Sequence, residues 1–283
     1  MRLNFVISLL YIIGFLSAEA NADKINVNCD MNTDNGIGID VDIDVDIDVD
    51  IGVDIDSNEG SSISKEYYHE NYNLINDSVF ESLTNGTEFL SIKYSHDGIN
   101  FSSKGLQMTI KKPFDNPSLV STEYIMYGKV EAEIKGSHGS GLVSSLYLQS
   151  KDLDEIDIAE ILGSDPYRYQ TNFFIKGNTT TYDRGDFHNL PIHLSHDQFY
   201  KYGCEWTFEK IVWFLNDVPV RELIRGNKHG MPTSPMRVIF SLWAGEDTQN
   251  KDTIAWSGGL TDYSRGPFTM TVRNLRVENY IDE

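Results

Sequence analysis

From about residue 67 onward, apolar and polar positions alternate in short runs closed by Gly, Asn or Asp, and no long segment keeps a 3.6-residue apolar period. Alternation with period 2 sends successive side chains to opposite faces of a strand. The run over 127–135, Tyr-Gly-Lys-Val-Glu-Ala-Glu-Ile-Lys, alternates cleanly, whereas 142–149 and 156–162 are more apolar. Further strands are predicted over 168–174, 202–207, 211–215, 236–243 and 268–280. Asn216-Asp217, set between Phe214-Leu215 and Val218-Pro219-Val220, predicts a hairpin turn. Many short strands separated by turn residues predict an all-β fold, an antiparallel sandwich.

The pattern also divides the chain. Residues 1–22 read as a signal peptide: Arg2, an apolar run over 5–16, then small residues at Ala18, Ala20 and Ala22 that suit cleavage. That run is too short to span a bilayer comfortably, no later run is as long, and the polar 278–283 tail does not read as an anchor signal. Residues 23–65 form an acidic leader built on an Ile/Val-Asp repeat, expected to act as a self-repelling, low-complexity linker. An EF-hand loop started at Asp46 would place Ile51 where Gly is needed and Ser57 where Glu is needed, so the repeat does not fit that calcium site. Residues 66–283 are assigned to one β domain.

One strand carries chemistry. Leu153 to Leu162 read Leu-Asp-Glu-Ile-Asp-Ile-Ala-Glu-Ile-Leu, with Glu155, Asp157 and Glu160 on an otherwise apolar segment. Burying that much like charge is costly. Two carboxyl groups flanking a sugar bond are what glycoside cleavage requires, one as nucleophile and one as proton donor. Strict parity would put Glu160 among the isoleucines and Ile161 with the acids. A β-bulge near Ile158–Ala159 returns both to their own sides, and bulges commonly re-aim side chains beside active sites. Four strand steps separate the outer Cα atoms by about 13 Å. Two Glu side chains leaning across a shorter Asp close most of that gap. Asp157 would hold one Glu by hydrogen bonding, and its charge would raise the pKa of the proton donor. The plain alternative is a solvated acidic strand edge.

The formal charge is −20, and eight aspartates of that total fall between residues 39 and 56. An acidic chain disfavours nucleic-acid partners and suits a neutral polysaccharide. Asn76, Asn85, Asn100 and Asn178 each begin an Asn-x-Ser/Thr triplet, fitting a secreted glycoprotein. The two cysteines, Cys29 and Cys204, could pair, but a buried free thiol at Cys204 is the expectation. The seven histidines form no metal-ligand pattern, His193 and His196 included. No Ser or Cys triad and no phosphate-binding loop is present.

The sequence resembles glycoside hydrolase family 16, whose signature is Glu-x-Asp-x-Glu or the bulged Glu-x-Asp-x-x-Glu, and within it the fungal cell-wall transglycosylases of the Crh group. The resemblance spans roughly 124–280. It rests on Gly141-Leu-Val-Ser-Ser-Leu-Tyr-Leu-Gln-Ser-Lys-Asp-Leu-Asp-Glu-Ile-Asp, Gln170-Thr-Asn-Phe-Phe, Lys176-Gly-Asn-Thr-Thr-Thr-Tyr-Asp-Arg-Gly, Leu242-Trp-Ala-Gly, Ile254-Ala-Trp-Ser-Gly-Gly and Thr261-Asp-Tyr-Ser-Arg-Gly-Pro-Phe. It implies a concanavalin A-like β-jelly-roll with a sugar cleft on its concave sheet and a retaining double displacement. Glu155 would be the nucleophile, Glu160 the acid/base and Asp157 the auxiliary carboxylate. It also implies a chitin or β-glucan donor, a glucan acceptor and no metal or organic cofactor, in a protein of the cell wall or extracellular space expected to be monomeric. Ala159 gives the bulged spacing where the Crh group has the unbulged one. The acidic repeat stands where that group has a cysteine-rich region. An endo-β-1,3(4)-glucanase and a non-catalytic carbohydrate-binding sandwich are the rival readings.

Sugars offer apolar ring faces and hydroxyls, which aromatics and amides recognise. Trp243 and Trp256 are the candidate stacking residues, with core packing as the alternative, while Trp206 and Trp213 read as core. Gln170 and Asn172, two apart on the strand after the acidic one, share a face expected to be the cleft. Tyr182 and Arg184 would either line the cleft or brace a loop.

Overall fold

The computed structural model describes residues 68, 71–179, 183–191 and 194–280. The signal peptide, the acidic leader, Cys29, Tyr182 and His193 lie outside the described residues. Fifteen strands follow in order. They are β1 (Val79–Glu81), β2 (Leu90–Tyr94), β3 (Ile99–Ser102), β4 (Gly105–Ile110), β5 (Ser118–Ser121), β6 (Gly128–Lys135), β7 (Leu142–Ser150) and β8 (Glu155–Leu162). Then come β9 (Arg168–Phe174), β10 (Asp186–Asn189), β11 (Tyr200–Trp206), β12 (Lys210–Leu215), β13 (Val218–Ile224), β14 (Met236–Ala244) and β15 (Phe268–Asn279). A short helix, α1 (Lys251–Trp256), precedes β15 and is capped by Asn250, whose side chain accepts from the backbone N–H groups of Asp252 and Thr253.

The strands form two antiparallel sheets. The first runs β13-β12-β11-β6-β15-β4-β3, with β1 also paired to β15, and the second runs β10-β9-β8-β7-β14-β5-β2. Alternation explains how they stack. On β6, Val130, Ala132 and Ile134 are fully buried, and on β14, Met236, Val238, Phe240, Leu242 and Ala244 join the same core. Burying each large side chain of this kind contributes about 1.5–3 kcal/mol. The near-continuous apolar run of β8 reflects burial on both faces. Asn216 and Asp217 both have positive φ, 50° and 67°, as a two-residue hairpin turn between β12 and β13 requires.

Every strand expected from sequence is present within a few residues of its bounds. Sequence alternation did not reveal β1–β5, β10 or α1. Trp206 and Trp213 are fully buried, as is the free thiol of Cys204. The side chains of Asn76, Asn85, Asn100 and Asn178 are exposed. No helix among the described residues is long and apolar enough to cross a membrane.

Candidate active site

The site lies on the outer face of the second sheet, and one irregularity in β8 creates it. Leu146 of β7 pairs with Ala159, but the next residue, Tyr147, pairs with Asp157, so Ile158 is extra. On the other side Asp157 faces Asn172 and Glu160 faces Gln170, three steps on β8 against two on β9. The two bulged residues, Ile158 and Ala159, join Ile156 and Ile161 in the core. Glu155, Asp157 and Glu160 are thereby left together on the outer face, the arrangement that parity alone could not produce. At the head of the strand, the fully buried carboxylate of Asp154 accepts from the backbone N–H groups of Lys176 (2.9 Å), Thr233 (2.8 Å) and Ser234 (3.1 Å), pinning two loops beside Glu155.

Neighbouring strands supply the partners of the three acids. From β7, Gln149 donates through its amide to Glu155, and Ser145 donates to Glu160 Oε2 at 3.0 Å. Tyr147 sits between them, opposite Asp157. Burial raises the pKa of Glu155, partly offset by hydrogen bonds from Asp157 and Gln149. Asp157 is pushed well above the ordinary carboxylate range by burial and by the charges of Glu155 and Glu160, and it keeps the proton of its hydrogen bond to Glu155. Glu160 is raised from 4.5 to about 8, first by burial and then by the charge of Glu155, against the Ser145 hydrogen bond. The Tyr147 hydroxyl is raised by burial and by all three acids, so it stays a neutral phenol. The buried Asp157 and Glu160 and the half-buried Glu155 thus share few charges, and strongly perturbed carboxyl groups of this kind mark acid/base sites.

The remaining candidates sort by position. Gln170 and Asn172 project from β9 directly beside Glu160 and Asp157. Gly185 comes so close that a Cβ there would lie 2.6 Å from Gln170 Nε2 and 3.7 Å from Asn172 Cγ, so the loop carrying it closes over both amides. Trp243 of β14 and Trp256 of α1 are half-buried and stacked, with ring centroids 5.9 Å apart and planes 23° apart. The pair bridges from β14, over β7 and β8, to β9. Arg184 is 6 % exposed and lies over the rings of Phe173 and Phe174, donating to the carbonyl of Asn178; that is a loop-bracing position.

Sequence reading passed over Ser145, Tyr147, Gln149 and Asp154. The first three have one signal in common, odd positions on the strand before the acidic one, which the register turns toward the acids. A groove of about 490 Å³ lined by Phe80, Glu131, Glu133, Lys201, Asn274 and Arg276 belongs to the first sheet and holds none of the candidates.

Residues 86–258 match the model of glycosyl hydrolases family 16. Crh-like protein CRH12 of Candida albicans is 57% identical over 219 residues, which is 75% of this chain and 43% of its own length. Congo red hypersensitive protein 1 of Saccharomyces cerevisiae is 47% identical over 193 residues, 68% of this chain and 37% of its own. The chain thus spans about two fifths of the length of the curated relatives it matches. A solved structure, Crh5 transglycosylase in complex with NAG, superposes with a TM-score of 0.69 at 37% identity, covering 74% of this chain and 86% of that one. A Bacillus licheniformis beta-glucanase reaches a TM-score of 0.61 at 19% identity over 72% of this chain and 99% of its own, a likeness of jelly-roll fold alone.

Proposed function

Because the chain belongs to glycosyl hydrolases family 16, we propose that it cuts a β-linked wall polysaccharide, chitin or β-glucan, and rejoins the cut end to a glucan acceptor. The observation that carries this reading is the bulge that turns Glu155, Asp157 and Glu160 to one face of β8. Glu155, hydrogen-bonded by Gln149, attacks the anomeric carbon as a carboxylate while the protonated Glu160 gives its proton to the departing glycosidic oxygen. Asp157 holds Glu155 in line through the hydrogen bond between them. The result is a glycosyl ester on Glu155 and a free sugar chain. In the second step Glu160, now a carboxylate, takes the proton of an incoming hydroxyl whose oxygen attacks the anomeric carbon and releases Glu155. Configuration at that carbon is retained through two inversions. The likeness to a Crh5 transglycosylase solved with NAG supports sugar rather than water as the second-step nucleophile and a chitin-type donor. The likeness to Crh-like proteins supports action outside the cell, in the wall.

The test is incubation of donor oligosaccharide with a labelled glucan acceptor. Labelled product of higher mass is expected; free reducing ends accumulating without label transfer would make the protein an endo-hydrolase. In the same assay E155Q is expected to lose activity by about a thousandfold or more, as removal of a catalytic nucleophile does. Full activity in E155Q would remove Glu155 from the role of nucleophile, and a parent protein that binds the donor but neither cuts nor transfers it would be a carbohydrate-binding sandwich only.

A further inference from the structure

Both stacked tryptophans are hydrogen-bonded to the two residues that flank Glu160. Ser145 lies directly across from Glu160 on β7, and Gln170 directly across on β9. Trp243 Nε1 donates to Ser145 Oγ at 2.9 Å, and Trp256 Nε1 donates to Gln170 Oε1 at 3.1 Å. An indole N–H can only donate, and a serine hydroxyl has one proton. With that proton on Glu160 Oε2 at 3.0 Å, the direction of the chain Trp243 to Ser145 to Glu160 is fixed. Ser145 is fully buried, so no solvent competes for either bond.

Building on the role of Glu160 as acid/base, we infer that the Trp243–Trp256 pair is a positioning device for that residue as well as a surface for sugar, acting through Ser145 and Gln170. Donation from the indole polarises the serine hydroxyl and strengthens its own donation, since chained hydrogen bonds reinforce one another. A sugar ring resting on the stacked indoles therefore bears on groups one hydrogen bond away from the proton that moves. Ser145, Gln170 and the tryptophan N–H groups are positioning groups in this account, and only Glu160 handles the proton. The other groups facing Glu160 are Glu155 and Asp157 on its own strand and Tyr147 on β7; Arg221 of β13 bears on Asp157, while β9 and β14 present the uncharged Gln170 and Trp243.

The experiment is kcat/KM against pH for the intact protein and for S145A, S145T, W243F and the S145A/W243F pair. Loss of the donor leaves the Glu160 carboxylate less stabilised, so S145A should carry the alkaline limb upward by about one pH unit. S145T, which keeps a hydroxyl, should restore the limb. W243F keeps a smaller aromatic face and loses the N–H, and it should shift the limb the same way by a smaller amount. The double variant should go no further than S145A. A W243F limb that stays in place, additive shifts in the double variant, or an S145T limb that stays with S145A would each overturn the inference. Activity surviving in E160Q would instead sink the acid/base assignment beneath it.

Discussion

Glu160 holds its proton to about 8 because it is buried and sits beside the charge of Glu155, and that single residue sets two pH dependences. The first is catalytic. In the proposed mechanism the glycosidic oxygen takes its proton from Glu160, so kcat/KM should fall as pH rises through about 8. On the acid side activity should rise only above the ordinary Glu value, because Glu155 is also raised and must be ionised to attack. A profile flat to pH 10 would remove Glu160 from the proton-donor role. The second dependence concerns stability. Unfolded, the carboxyl ionises near 4.5; folded, it keeps its proton to about 8. The native state therefore binds more protons across that window, and its stability falls as pH climbs through it. A rise from 4.5 to about 8 corresponds to about 5 kcal/mol across that window. E160Q, which cannot ionise, should unfold at a higher temperature than the parent at pH 8 and lose that advantage toward pH 4. Equal melting temperatures at both pH values would contradict the buried, protonated state.

The unit that brings the acids together is the strand β8 with its extra residue. Ile158 and Ala159 both turn inward, so the bulge inserts one residue without changing which side Glu160 and Ile161 face relative to Glu155 and Ile156. Deleting Ala159 leaves Glu-Ile-Asp-Ile-Glu, a regular strand whose parity also keeps all acids outward, so activity should survive within about tenfold. Inserting one alanine after Ala159 also gives the even spacing of a regular strand, but it carries Glu160 two further strand steps, about 7 Å, away from Glu155 and should abolish transfer. Product assays on the two variants decide it; an active insertion variant or a dead deletion variant would mean that strand parity and spacing do not set the aim of the acid. This logic was legible in sequence because parity is local to one strand. Long, strongly alternating strands were legible for the same reason, and β9 was read to the residue. The strands β1, β3 and β5 were not, being three or four residues long with too few positions to show a period. Ser145, Tyr147 and Gln149 escaped for a different reason. Nothing in their own run marks them as polar contacts of an acid; only the pairing of β7 with β8 does, and register between strands is set by the fold as a whole.

At the scale of the molecule, polar side chains of the first sheet reach across to the second beneath the acids. Trp213 lies on β12 of the first sheet, fully buried, and its indole N–H crosses the core to donate to the carbonyl of Asp157 on β8 at 2.9 Å. The ladder is locally broken beside a bulge, so this carbonyl has its partner in the opposite layer. Above the same indole, at 4.6 Å from the ring, sits the guanidinium of Arg221, which donates to the carbonyl and hydroxyl of Thr171 on β9, both at 3.0 Å. The packing of the sandwich and the aim of the middle carboxylate are therefore coupled through a residue that never touches substrate. W213F keeps an aromatic ring in the core, removes the donor and leaves a small void where the five-membered ring lay. Leaving a buried carbonyl without its partner costs about 1–3 kcal/mol, which urea denaturation should register as a lower midpoint at unchanged slope. If the crossing bond also holds the bulge in register, kcat should fall several-fold in W213F while KM for the donor stays near the parent's value, because the sugar-facing side chains keep their places. Lost stability with kcat intact would show that the bulge holds itself and that the layers merely rest on one another.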